Sequence, residues 1–165
     1  MLFLRLLAVA LAFAGIRGVG MILVDGQGRF LVNHRARGVK DQDEFRHPAR
    51  PYLAGRWAIL AGYIERGEEP EETARRELDE EVGHVPERLY LVASATWPRP
   101  VYLYAAGLRP PLESLRLGEG WEHRLVTAAE AASLSPRIPL LAPVLRAFAG
   151  TRAYQSSLRD ARETR

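Results

Sequence analysis

An α/β domain built on a mixed sheet is the fold class that this sequence predicts, on three observations. A continuous apolar run, residues 19–24, and the strand-like Arg29-Phe30-Leu31-Val32 flank the turn-forming Asp25-Gly26-Gln27-Gly28, a strand–turn–strand signal. Residues 70–82 carry the pattern of an amphipathic helix with one strongly acidic face. Short strand-like runs then alternate with turns before a second helical pattern near the C-terminus. At 165 residues, with 47% hydrophobic and 26% charged residues, the chain suits one globular domain and not a disordered segment.

Taken in order, residues 1–17 are almost wholly apolar, with Arg5 as the charge in the first fifteen. Ala12-Phe13-Ala14 looks like a small-residue cleavage site, but the stretch falls short of the roughly 20 residues a membrane helix needs. A buried first strand or helix is the preferred reading, with an export signal as the alternative. The hairpin strands follow. Residues 35–55 show no period and hold five lysines and arginines, His47 and two prolines, which reads as a long irregular loop. Residues 57–60 form one short strand. Pro70 at the first helical position, Glu71 and Glu72 in the first turn, and Gly83 just past the end frame the helix. Strands are expected over 88–93, 101–106 and 122–126. Thr127 and Glu130 have capping-box spacing. Leu140, Leu141, Val144, Leu145 and Phe148 share one face of a final helix that Gly150 stops. The tail from Thr151 is polar and reads as frayed. The domain proper is therefore expected over 18–150, with a polar tail over 151–165.

Composition removes several function classes. The chain has no cysteine, which excludes disulfide frameworks, thiolate zinc sites and cysteine nucleophiles, and suits a reducing compartment such as the cytoplasm. His34, His47, His84 and His123 do not form a metal-ligand spacing. The net charge is +3, yet residues 65–81 hold nine acids against three arginines, a local net of −6, so the remainder carries +9. An acidic patch in a basic protein suggests a metal site serving an anionic substrate more than a nucleic-acid groove. No stable nucleic-acid binding and no membrane partner are expected, and a homodimer is left open.

The helix carries the chemistry. At 100° per residue, Glu77, Glu80 and Glu81 fall within an arc of about 100°, and Ala74, Leu78 and Val82 occupy the neighbouring arc. One flank can be buried while the carboxylates line a cleft. Three carboxylates so placed repel one another, and a divalent cation relieves that repulsion. An all-oxygen set favours Mg²⁺ or Mn²⁺ over Zn²⁺. A solvated acidic helix face is the competing explanation.

Spacing separates these readings. Gly62, Glu68, Arg76, Glu77, Leu78, Glu80, Glu81 and Gly83 stand in the register G-x5-E-x7-R-E-U-x-E-E-x-G-U, where U is a bulky aliphatic residue, and this segment resembles the Nudix box. His84 departs from the pattern, standing where an aliphatic residue is expected. The resemblance implies a Nudix-type α/β/α sandwich with a loop–helix–loop motif that holds Mg²⁺ against a diphosphate. It also implies an enzyme that hydrolyses a phosphoric anhydride in a nucleoside diphosphate derivative. In that scheme Glu77, Glu80 and Glu81 hold metal, the Gly62 carbonyl adds a ligand, and Arg76 and Glu68 brace the loop against the helix. Glu122 is expected as an additional acidic ligand or base, with Glu119 as its rival.

Two flanking stretches bear on substrate. Leu60-Ala61-Gly62-Tyr63 and Ser94-Ala95-Thr96-Trp97-Pro98-Arg99-Pro100 partly resemble the NADH pyrophosphatase branch of the same superfamily. The resemblance favours a dinucleotide such as NAD(H) or ADP-ribose over a nucleoside triphosphate; a catalytically silent nucleotide sensor is the remaining alternative. Trp97 is expected as a stacking platform for a base, or else as a packed residue of the sandwich. Arg35, Arg56 and Tyr63 complete the expected substrate contacts.

Overall fold

A computed structural model describes residues 2, 4, 5, 18–35, 55–97, 99–118 and 120–163. The expectations for the N-terminal stretch beyond Arg5, the basic loop, Pro98 and Glu119 lie outside the described residues. Leu4 is fully buried in the core.

Among the described residues, seven strands form one sheet organised around a hairpin. Strand β1 (Gly18–Asp25) turns into β2 (Phe30–Arg35), and the Asp25 carboxylate fixes the turn by accepting from the backbone N–H of Gln27 and Arg29 and from Arg29 Nε. Gly28, at φ 82°, supplies the left-handed residue this turn demands. The single strand expected at 57–60 is in fact two. β3 (Trp57–Ala58) pairs with β2, and β4 (Leu60–Gly62) pairs with β1. Ile59 is the break, so the chain crosses from one strand of the hairpin to the other. β5 (Tyr90–Ala95) and β6 (Val101–Leu108) extend the sheet, with β6 parallel to β1 and β5 antiparallel to β6. β7 (Gly120–Val126) runs antiparallel to β2. The result is the mixed sheet expected.

Helices cover both faces. Helix α1 (Pro70–Val82) buries Ala74, Leu78 and Val82 against Val19, Met21, Leu23, Leu31 and Leu60, the flank the sequence assigned to the core. It begins as expected, with Pro70 at the first position and Glu72 Oε2 accepting from Glu69 N, and ends at Gly83 with φ 66°. On the opposite face, α2 (Leu141–Ala149) packs Leu141, Val144, Leu145 and Phe148 against Ile22, Phe30 and Val32. Thr127 and Glu130 make the two reciprocal bonds of a capping box, followed by a short 3₁₀ turn at Glu130–Ala132.

The frayed tail is corrected. Residues Arg152–Arg162 form a third helix, α3, capped by the Thr151 hydroxyl. It lies close against β6 because residue 107 is glycine: a Cβ there would stand 2.6 Å from both Ala161 N and Ser157 O. Asp160 then accepts from Arg88 Nη1 at 3.0 Å and Tyr90 Oη at 2.7 Å, while Tyr154 packs on Phe30 and Phe148.

Candidate active site

Loop 63–69 leaves β4 and returns as α1, and one carboxylate ties its two ends. Glu68 accepts from Arg76 Nε at 2.7 Å and Nη2 at 3.1 Å, from Glu65 N at 3.0 Å and from Thr73 Oγ1 at 2.8 Å. The Arg76 hydrogen bonds chiefly, then the one from Glu65 N, hold its pKa down at about 2 against an ordinary 4.5. Arg76 is correspondingly pushed up, first by the hydrogen bond to Glu68 and also by the charge of Glu77. The same guanidinium donates through Nη1 to Glu77 Oε1 at 2.9 Å and Glu80 Oε2 at 3.4 Å, and through Nη2 to the Tyr63 carbonyl at 3.1 Å. Four of the residues singled out in the sequence, Tyr63, Glu68, Glu77 and Glu80, therefore meet around one arginine. The bracing pair of Arg76 and Glu68 has the geometry of a brace.

Gly62 belongs to the same cluster. A Cβ at that position would overlap the Glu77 carboxylate, so only glycine lets this side chain lie against the end of β4. Glu81, expected with the other carboxylates to line a cleft, is buried at 3% exposure, with Asn33 Nδ2 3.4 Å from its Oε2. Glu80 is the exposed member of the trio, its side chain 59% accessible.

The expected acid on β7 is misplaced. Glu122 stands opposite His34 and ion-pairs with Arg124, whose guanidinium lies 4.7 Å from the centre of the Trp57 ring. Trp57 belongs to the α2 side of the sheet, whereas Leu125, and hence His123 two residues before it, face α1. Strand alternation thus turns Glu122 away from the box acids. Glu119, its rival, lies outside the described residues. The sequence reading passed over Asn33 and His123, which do face the box helix.

The substrate-binding expectations divide. Trp97 is 71% exposed, so packing inside the sandwich is removed as its role. It sits in the β5–β6 connection, and the register of Gly18 with Val101 and Val19 with Gly62 brings that connection to the same end of the sheet as Gly62. Arg35 and Arg56 are neighbours through the Arg35 N–H to Arg56 carbonyl bond, and Arg56 Nη1 donates to the Arg137 carbonyl.

Among the described residues, no three His, Asp or Glu side chains converge as an ion would require. Arg76 stands between Glu77 and Glu80 and neutralises both. By chemistry the donors still suit a hard divalent cation: they are all oxygen, one carboxylate is buried, and the solvent-shielded Asn33 Oδ1 has no hydrogen-bond partner.

Comparison with known proteins is decisive for the family. The chain matches the NUDIX domain over residues 16–147. It belongs to the Nudix family. No curated protein sequence matches it. Solved Nudix structures share the fold at low identity. The MutT protein from Methanosarcina mazei Go1 is 18% identical, with 81% of this chain and 91% of that one covered at a TM-score of 0.57. The NUDIX domain of Shewanella oneidensis NrtR, solved with ADP ribose, is 15% identical, covering 79% and 84% at 0.58. A C. elegans Ap4A hydrolase is 18% identical, covering 81% and 96% at 0.57. With the family and the complete set of box acids and glycines in place, the chain is classed as a Nudix hydrolase acting on phosphoric anhydrides.

Proposed function

We propose that this Nudix hydrolase uses Mg²⁺, or Mn²⁺ in its place, to cleave the diphosphate linkage of a nucleoside diphosphate derivative, with a dinucleotide such as NAD(H) or ADP-ribose preferred. The observation that carries this reading is the loop clamp: Glu68 and Arg76 hold the loop after Gly62 against the helix that bears Glu77, Glu80 and Glu81. A cation held by those three carboxylates and the Gly62 carbonyl would offset charge on the phosphates and lower the pKa of an attacking water. The chain's own part is placement. Glu68 and Arg76 keep the loop from drifting, Gly62 lets Glu77 approach the backbone, and burial keeps Glu81 in one position. With Glu122 turned away, the proton of the attacking water is assigned to a box carboxylate.

Exposed Trp97 at the Gly62 end of the sheet supports a base-stacking role, and so a substrate with a base or nicotinamide beyond the diphosphate. The ADP ribose bound to the Shewanella domain is in keeping with this substrate class. No helix among the described residues is long and apolar enough to cross a membrane, and the cytoplasm is the compartment we propose. The test is a panel of NADH, ADP-ribose, Ap4A and dGTP with Mg²⁺, read by chromatography of the products. The reading expects NADH or ADP-ribose to show the highest kcat/KM. A higher value for dGTP would redirect it to triphosphates, and tight binding of ADP-ribose without turnover would make the domain a sensor.

A further inference from the structure

Strand β2 contains one amide among apolar residues. Phe30, Leu31 and Val32 are buried, and Asn33 after them is 1% exposed. Its side chain is only half satisfied. Nδ2 faces Glu81 Oε2 at 3.4 Å, a long contact that steers more than it binds, while Oδ1 is shielded from solvent without a partner. The reverse orientation would set two oxygens against each other. A buried acceptor left unpaired is destabilising, so folding alone would favour an apolar residue here.

The neighbourhood is shaped around this amide. A Cβ on Gly120 would overlap Asn33 Oδ1, so residue 120 must be glycine for the amide to keep its place. A Cβ on Gly118 would stand 2.7 Å from the Glu80 carbonyl and 2.8 Å from Glu81 Cα, so this glycine allows the approach of β7 to the last turn of α1. His123, directly across from Asn33, has its Nε2 buried and unpartnered as well, and burial pulls its pKa down toward the neutral ring. Two buried polar atoms without partners on adjacent strands, beside a buried carboxylate, call for a role beyond folding.

We propose that Asn33 is a positioning residue for Glu81. Its Nδ2 selects which Glu81 oxygen points toward the substrate side, and its Oδ1 accepts a hydrogen bond from water held with the divalent cation. The proposal rests on the metal-dependent hydrolase reading, and its test separates the two. Asn33→Leu keeps the branched shape and heavy-atom count and removes both polar atoms; Gly120→Ala leaves Asn33 but takes away the room for Oδ1.

The measurements are Mn²⁺ affinity by electron paramagnetic resonance of the free ion, kcat and KM on ADP-ribose, and the metal-free thermal midpoint. Both variants are expected to bind Mn²⁺ about 10- to 100-fold more weakly and to lose kcat by a similar factor, with KM moved less than about threefold. Asn33→Leu removes the orphaned acceptor but also the donor facing buried Glu81, so these opposing effects should leave only a small shift in the metal-free midpoint. If Asn33→Leu does not fold, Asn33→Ser and Gly120→Ala carry the same expectation. Mn²⁺ affinity and kcat within about twofold of wild type in the folded variants overturn the assignment. So does a lowered midpoint with unchanged Mn²⁺ affinity, which would make Asn33 merely structural. Wild-type protein that binds no Mn²⁺ overturns the hydrolase reading and this assignment with it; wild-type binding matched by the variants overturns the Asn33 assignment alone.

Discussion

Replacing Glu68 by Gln should loosen the active-site loop and should do so in a pH-dependent way. The wild-type carboxylate accepts four hydrogen bonds, two of them from the Arg76 guanidinium. Gln keeps one accepting oxygen and turns an amide donor toward donors. Hydrogen bonds to charged groups contribute about 1.5–3 kcal/mol. The Glu68 and Arg76 side chains are 21% and 28% exposed, so solvent screens part of that and a loss of about 2 kcal/mol is expected. For a chain of 165 residues that corresponds to a midpoint lowered by about 4–8 °C. The carboxylate's pKa is held at about 2 in the folded chain against 4.5. A depressed acid stabilises the fold above its unfolded pKa and loses that effect as pH falls toward the folded one. The difference between wild type and Glu68→Gln should therefore be full at pH 7 and shrink by roughly two-fifths at pH 3.5. Thermal unfolding by circular dichroism at both pH values is the assay. A midpoint within about 1 °C of wild type at pH 7, or a gap that widens on acidification, refutes the clamp.

Other substitutions probe other parts. Glu81→Gln removes charge from the buried acid without removing volume, so turnover should fall on the order of 100-fold with an unchanged dichroism spectrum; near-wild-type rates would remove Glu81 from the machinery. Trp97→Ala should leave the stability within about 0.5 kcal/mol of wild type, because the side chain is 71% exposed. Its KM for NADH should rise more than its kcat falls, and equal losses on NADH and dGTP with a lowered midpoint would rule out the platform. Gly107→Val should undock α3 at a cost of about 1–3 kcal/mol and open residues 152–162 to limited proteolysis, whereas an intact helix would show that the contact at Gly107 yields easily.

Local signals made the box helix readable: Pro70, Gly83 and the acids at 77, 80 and 81 each act within a turn or two of their own position. Signals that depend on a distant partner were not readable. The run 57–60 looked like one strand because nothing in it shows that Ala58 pairs with Asn33 while Leu60 pairs with Met21. The tail from Thr151 looked frayed because its anchors, Gly107, Arg88 and Tyr90, lie 44 or more residues earlier. Glu122 failed for a subtler reason: adjacent residues of a strand face opposite ways, so one residue decides between the box side and the Trp57 side. Asn33 hid among apolar neighbours whose pattern spoke only of a core strand.

The central claim is that the carboxylates on α1 work through a divalent cation on a diphosphate bond. Protein stripped with EDTA, incubated with ADP-ribose and followed by ³¹P NMR before and after Mg²⁺ is added, tests it most directly. The diphosphate signal should stay unchanged without the ion and give way to two phosphomonoester signals once it is present. Equal hydrolysis in EDTA, or a diphosphate signal that persists with Mg²⁺ for this and every other nucleoside diphosphate derivative tried, would contradict it.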